Sequence, residues 1–207
     1  MPKPLWTPSD TPAKEFAKDV TPALELIFRN SARQAAVDNG LTIDWTFIDP
    51  EAKRYAAERG AEMVGMKWVN GRLVENPNAA FVIDDTIRDG VRDMLAEALE
   101  EGWSFQEFSD HLEEAGLFGE ARSTLIARTE MAIAMNVGRV SSYRMAGYEW
   151  VVVSDAAECG GDECDVDGEV WTLEEAEEEP LGHPNCTRSF RPATKEESEE
   201  ADEEEAA

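Results

Sequence analysis

The chain has 207 residues, enough for one or two domains with a substantial core, and its 45 Asp and Glu outnumber its 19 Lys and Arg to give a formal net charge of −26. Residues 151–207 carry 20 acidic and 3 basic residues, a net of −17. This acidity argues against direct DNA binding and suits either solubility or docking onto a basic protein surface. No apolar run is long enough to cross a membrane, and the first residues lack the pattern of a secretion signal, so we expect a protein made in a reducing cytoplasm or inside a particle assembled there.

The N-terminal part reads as helical after a flexible start over residues 1–10. Thr11-Pro12 and Thr21-Pro22 each place an N-cap residue before a proline at the first helical position. The second pair predicts a helix from about Pro22 to Asp38.

The next two elements are a helix and a hairpin. Asp49-Pro50 repeats the cap-and-proline signal and predicts a helix over about 50–63. In the segment 67–74, Asn70-Gly71 supplies the two positive φ angles that a two-residue hairpin turn needs.

Three further helices and a small sheet follow. Capping residues and apolar spacing predict helices over about 84–101, 104–116 and 120–145. The three segments with strand character, which together would make a small antiparallel sheet, are 148–153, 169–171 and 188–191. The chain from residue 195 onward is acidic and poor in apolar residues, so we predict disorder over 195–207.

Glu130 falls on or near the apolar stripe of the long helix, between Ile126 and Ile133. A carboxylate in that place should be paired, because burying it alone is costly. Arg128 and Glu130 invite a catalytic interpretation, but residues two apart on a helix point about 200° apart. We therefore expect both to serve structural ion pairing.

All three cysteines and one of the two histidines lie in one short stretch: Cys159, Cys164, His183 and Cys186. Two ligand pairs joined by a longer loop suit a closed, tetrahedral, structural zinc site that stabilises a small lobe. A Cys159–Cys164 disulfide, or three reduced thiols, is the alternative, although no signal indicates an oxidising compartment.

Several stretches together resemble the phage head-morphogenesis proteins, the minor head proteins similar to protein F of phage Mu. Each motif is weak alone, but their order over about residues 120–192 is characteristic of that family. The motifs are Ala127-Arg128-Thr129-Glu130, Asn136-Val137-Gly138-Arg139, Tyr143-Arg144-Met145-Ala146-Gly147-Tyr148, the Cys159/Cys164 pair, Asp167-Gly168-Glu169-Val170 and His183-Pro184-Asn185-Cys186.

The resemblance implies a minor structural protein of a tailed-phage head. Such proteins associate with the portal protein during procapsid assembly and assist head morphogenesis, DNA packaging or ejection, so the implied location is the virion, at the head interior or portal vertex. The major capsid and scaffolding proteins are further candidate partners, and no enzymatic activity is implied.

The chain departs from the family pattern at two places. Many relatives have C-x2-C where this chain has C-x4-C, and many continue the H-P-N-C motif with Arg and Cys where this chain has Thr187 and Arg188. The second departure removes a fifth possible ligand. Two other functions stay open: a zinc-dependent hydrolase or nuclease, and an acidic adaptor that binds a basic host protein.

The predicted fold class is α+β. A mostly helical N-terminal region with a β-hairpin spans 11–119, and a long connecting helix then leads into a small, zinc-stapled antiparallel β lobe. The long helix and the lobe form the Mu F-like domain over 120–194.

Overall fold

The computed structural model describes residues 11–79, 120–155, 166–184 and 186–205. The chain divides into two compact units, Met1–Leu26 with Ala52–Ala127 and Ile27–Glu51 with Arg128–Ala207. The predicted helices over 84–101 and 104–116 lie outside the described residues. None of the helices within the described ranges combines the length and the apolarity that a bilayer crossing requires.

The first helix is longer than predicted. Helix α1 runs over Thr11–Asp38 and contains Pro22 in its interior, so the predicted start at Pro22 is wrong. The buried side chains of Val20 and Leu24 lie on either side of the proline. Continuous burial of this apolar face outweighs the one hydrogen bond that the proline removes.

The second helix begins earlier than predicted. Helix α2 runs over Trp45–Glu62, and Asp44 rather than Asp49 is its capping residue. One carboxylate oxygen of Asp44 accepts hydrogen bonds from the hydroxyl of Thr46 at 2.6 Å and from the Thr46 backbone N–H at 2.9 Å. These bonds lower the pKa of Asp44, with the hydroxyl bond as the larger cause.

The hairpin prediction is confirmed. Strands β1 (Met66–Val69) and β2 (Arg72–Glu75) pair in antiparallel register. Asn70 and Gly71 lie between them with φ angles of +50° and +72°. Two positive φ angles give the turn the twist that matches its strands, which is why Asn-Gly was a reliable signal.

The long connecting helix is also confirmed. Helix α3 spans Glu120–Met145, and Gly147 ends it in the left-handed region with φ +83°. The expected burial of its apolar stripe is seen at Ile126 and Val140, and Glu130 on that stripe is only 1% exposed.

Three antiparallel strands form the sheet of the second unit. Strand β3 (Trp150–Ser154) lies in the centre, between β4 (Val170–Thr172) and β5 (Ser189–Pro192). Each predicted strand is present, with its ends shifted by one or two residues. The core beneath the sheet joins residues of α1, α3, the strands and the short helix that follows β4: Ala35, Val140, Tyr143, Val151, Val153, Leu173, Ala176 and Phe190.

A glutamate-rich segment after β4 is helical. Helix α4 runs over Leu173–Glu178. Thr172 accepts from the backbone of Glu175 while the Glu175 carboxylate accepts from the backbone of Thr172, which is a complete capping box.

The predicted disorder over 195–207 is wrong for the residues that the structure describes there, since helix α5 runs over Lys195–Glu205. Its start is fixed by Thr194, whose backbone N–H donates to the Glu197 carboxylate at 2.7 Å. Arg191 also holds Glu197, with a nitrogen–oxygen distance of 2.7 Å. The Arg191 bond is the largest cause that lowers the pKa of Glu197 to about 2. A fixed first turn lets a run of good helix formers continue the helix.

Candidate functional site

His183 and Cys186 lie at the two ends of one tight turn. The backbone N–H of Cys186 donates to the carbonyl of His183 at 3.1 Å. Cys186 is 5% exposed, and His183 is half-buried. The H-x2-C spacing therefore folds into a local turn that carries both side chains.

The His183 ring has a fixed orientation. Its Nδ1 atom lies 2.8 Å from the carbonyl oxygen of Pro184. A carbonyl only accepts hydrogen bonds, so Nδ1 carries a proton, and in the neutral ring Nε2 then carries the lone pair. This is the tautomer in which a histidine binds a metal through Nε2 while its other nitrogen is held by a backbone carbonyl.

The sulfur of Cys186 also has defined partners. The backbone N–H of Arg188 donates to Cys186 Sγ at 3.4 Å, and Sγ lies 3.5 Å from Asp155 Oδ1, to which the thiol donates. The sulfur thus accepts one hydrogen bond and donates another, and the two together fix its position.

Two of the four predicted zinc ligands, His183 and Cys186, lie within the described residues. Cys159 and Cys164 lie outside the described residues. Within the described ranges, no three His, Cys, Asp or Glu side chains come together in a way that could hold a metal ion. The four-ligand zinc site thus stays a prediction, supported by an imidazole of suitable tautomer and a sulfur that already accepts an N–H.

A buried ion pair lies directly beside this turn. Arg188 Nε is 2.9 Å from Asp155 Oδ2, and the two side chains are 1% and 0% exposed. The Arg188 guanidinium also donates to the carbonyl of Glu179 at 3.2 Å and lies 5.0 Å from the ring centre of Trp171. The pair and its surroundings form one continuous polar cluster in the interior of the lobe.

Residues of two family-like motifs hold this cluster in place. The Asn136 amide donates to the carbonyls of Pro180 and Arg188, both at 2.8 Å, and so ties α3 to the chain on either side of the His183 turn. Asp167, beside Gly168 with its φ of +85°, accepts the backbone N–H of Asp155 at 2.9 Å. These contacts explain why Asn and Asp-Gly stand at those places in the motifs.

Sequence reasoning missed the roles of Asp155 and Arg188. Arg188 was predicted only as the start of a strand and as a residue that stands where many relatives have a fifth possible ligand. The available signal was Asp155, two residues after the apolar strand sequence Val151-Val152-Val153, since a carboxylate at the end of a buried strand needs a partner.

The third motif fastens the end of α3 to the sheet. The Tyr143 hydroxyl donates to the carbonyl of Phe190 at 3.1 Å, and burial raises the pKa of Tyr143. Arg144 pairs with Glu177 of α4, and this hydrogen bond is the main reason that the pKa of Arg144 is raised. Both residues therefore serve packing.

Arg128 and Glu130 lie within one helix, the first half-buried and the second buried. Burial of Glu130 agrees with the expected position on the apolar stripe. Their predicted role in structural ion pairing stays a prediction.

A comparison with protein-family models finds a match that includes the site described above. Residues 89–190 match the family model described as Phage Mu protein F like protein. This segment is similar to that family. The match confirms the resemblance drawn from the motifs and supports phage head morphogenesis as the class of function. No curated protein and no solved structure gives a match.

The Mu F-like segment includes most of the elements described above. It contains α3, strands β3 and β4 and the turn at His183, and it ends inside β5 at Phe190. It spans about half of the chain. The Asp155–Arg188 cluster lies entirely within it.

Proposed function

We propose that this chain is a minor structural protein of a tailed-phage head that associates with the portal protein during procapsid assembly and assists head morphogenesis, DNA packaging or ejection. The observation that carries the proposal is the Mu F-like match over residues 89–190. The motifs that mark this family here hold a buried scaffold together.

The geometry of Asn136 and of the Asp155–Arg188 pair supports a structural role. Three polar residues are only 3–4% exposed: Asn136, Asp155 and Arg188. Asp155 and Arg188 hydrogen-bond to each other, and Asn136 and Arg188 donate to backbone carbonyls. A catalytic group has to reach a substrate, whereas these groups connect a helix, a strand end and a turn. They would hold the lobe rigid as a docking element.

Zinc is proposed as a structural ion of the same lobe. Cys159, Cys164, His183 and Cys186 would hold it, and it would supply a cross-link between the chain on either side of β4. Its role would be mechanical, so exchange of a cysteine for serine should lower the stability of the lobe and remove no chemistry.

The charge distribution supports a partner with a basic face. Helix α5 carries seven glutamates and one aspartate against one lysine, and residues 151–207 have a net charge of −17. Attraction between such a segment and a basic surface speeds association and weakens at higher salt. The portal protein is the partner proposed, with the major capsid or scaffolding protein as the other candidates.

The proposal is tested by co-expressing the chain with the portal protein of the same phage and capturing a tag on the portal. We expect the chain to be retained at a fixed ratio to portal. A variant truncated before Lys195 serves as the matched control for the acidic segment: retention of this variant shows that the Mu F-like lobe itself docks.

Loss of binding on truncation, together with capture of basic host proteins by the full chain, would instead support the adaptor function. A folded, soluble chain that the portal does not retain would contradict portal association.

A further inference from the structure

The Asp155–Arg188 ion pair is buried at a place where apolar side chains could also fill the space. Both side chains are almost completely removed from water, at 0% and 1% exposure. Removing two charges from water costs so much that apolar residues of similar volume are often as stable or more so. An ion pair kept in such a place needs a reason beyond stability.

The pair makes contact with one chemically distinctive group, the sulfur of Cys186. Asp155 Oδ1 accepts from Cys186 Sγ at 3.5 Å, while its Oδ2 accepts from Arg188 Nε at 2.9 Å. The backbone N–H of Arg188 donates to the same sulfur at 3.4 Å. The sulfur is thus held by both members of the pair, one through its side chain and one through its backbone.

Each member of the pair is itself fixed from outside. The Asp155 backbone N–H is held by Asp167 at 2.9 Å, and the Arg188 carbonyl is held by Asn136 at 2.8 Å. The guanidinium lies over Trp171. With both partners immobilised by α3, by the turn before β4 and by an aromatic ring, the sulfur has one defined position.

We propose that Asp155 and Arg188 are positioning residues that hold the Cys186 sulfur in place before any metal binds. When a metal binds, the thiol would release its proton to solvent, and the Arg188 backbone N–H, held in place by the ion pair, would remain on the sulfur as part of the outer shell of the metal site. The outer-shell role rests on the proposed structural zinc. The positioning of the Cys186 sulfur does not depend on zinc, because its contacts are made without a metal.

The decisive variant replaces both charges by apolar side chains, Asp155→Leu with Arg188→Met. Removing the whole pair leaves no buried charge alone, so the lobe should still fold. A purely structural pair would then leave Cys186 as protected as before. A positioning pair would not, because the carboxylate that receives the thiol is gone.

The first readout is the rate at which iodoacetamide alkylates Cys186 in chelator-treated protein, followed by mass spectrometry of the Cys186 peptide. We expect the double variant, with far-UV circular dichroism like that of the wild type, to react roughly tenfold faster. Glu197→Gln is the matched control, because it removes the charge of an exposed ion pair next to the same sheet, and its rate should equal that of the wild type.

A folded double variant whose Cys186 reacts at the wild-type rate would overturn the proposal. A double variant that does not fold would overturn it as well, since the pair would then be required for the lobe as a whole and not for the placement of one sulfur.

The second readout is a titration with Co²⁺, whose absorption reports tetrahedral thiolate coordination. Loss of an outer-shell partner typically weakens metal binding by about 10- to 100-fold, and we expect a loss of that size in the double variant. A wild-type protein that binds no Co²⁺ would refute the proposed zinc, while the alkylation rates would still decide whether the pair positions Cys186.

Discussion

The close approach of α3 to α1 within the second unit predicts an unusual response to one added methyl group. Gly138 belongs to the Asn136–Arg139 motif, and a Cβ at this position would lie 2.4 Å from the carbonyl oxygen of Phe28 and 3.1 Å from two further backbone atoms of that residue. All three atoms are backbone, so no side-chain rotation relieves the overlap. Gly138→Ala should therefore force the two helices apart locally.

The size of the effect follows from two opposing contributions. Replacing glycine by alanine inside a helix stabilises it by about 1 kcal/mol. Overpacking a well-packed interior costs about 1–3 kcal/mol, and a 2.4 Å overlap with backbone belongs at or above the upper end. The net loss in the free energy of unfolding should be about 2 kcal/mol, which for a chain of this size lowers Tm by about 4–8 °C.

Thermal and urea unfolding, followed by far-UV circular dichroism, measure this loss directly. Gly60→Ala in α2 is the matched control, because its added Cβ would meet the carbonyl oxygen of Ala17 at 3.0 Å and otherwise only side-chain atoms of Thr21 and Val20. It should lose less stability than Gly138→Ala. If Gly138→Ala were as stable as the wild type, or more stable, the helix contact described here would be wrong.

Three further predictions follow from the second unit. Asn136→Ala leaves the carbonyls of Pro180 and Arg188 without their amide donor, so urea unfolding should show a loss of about 2 kcal/mol; an unchanged midpoint would refute that tie. Glu197 has a pKa lowered from 4.5 to about 2 by Arg191, so its contribution to stability is present above pH about 4.5 and is lost as pH falls towards 2. The difference in Tm between wild type and Glu197→Gln should shrink over that range, and a difference that does not change with pH would contradict the pairing. Chelation should release one zinc per chain and lower Tm; release of no zinc and an unchanged Tm would exclude the proposed ion.

The elements that could be predicted from the sequence are those set by local chemistry. Asn70-Gly71 specifies its turn through backbone φ angles alone, and the apolar spacing of α3 together with Gly147 gives its extent. The three strands were recognisable from their composition. In each case the signal and the structure it causes lie within a few residues of each other.

The errors arose where tertiary structure overrides local signals. Thr21-Pro22 has the form of a helix start, but the buried face on both sides of the proline keeps α1 continuous. The tail was predicted to be disordered on composition, whereas Arg191 of β5 holds Glu197 and fixes the first turn of α5. The composition of a segment carries no information about a contact that a residue of a neighbouring strand makes with it.

The candidate site likewise has a local part that the sequence predicts and a long-range part that it does not. The turn joining His183 to Cys186 is local and could be read from spacing. The Asp155–Arg188 pair joins residues 33 positions apart and depends on the pairing of β3 with β5, which no local pattern specifies. The family motifs marked the residues around this pair without revealing what they hold.

The most direct test of the proposed function is quantitative mass spectrometry of purified procapsids and mature particles assembled from co-expressed head genes of the same phage. A minor head protein should be present in both at a fixed, low ratio to portal protein. Absence from both kinds of particle, with the chain folded and soluble outside them, would contradict the proposal that it is a structural component of the phage head.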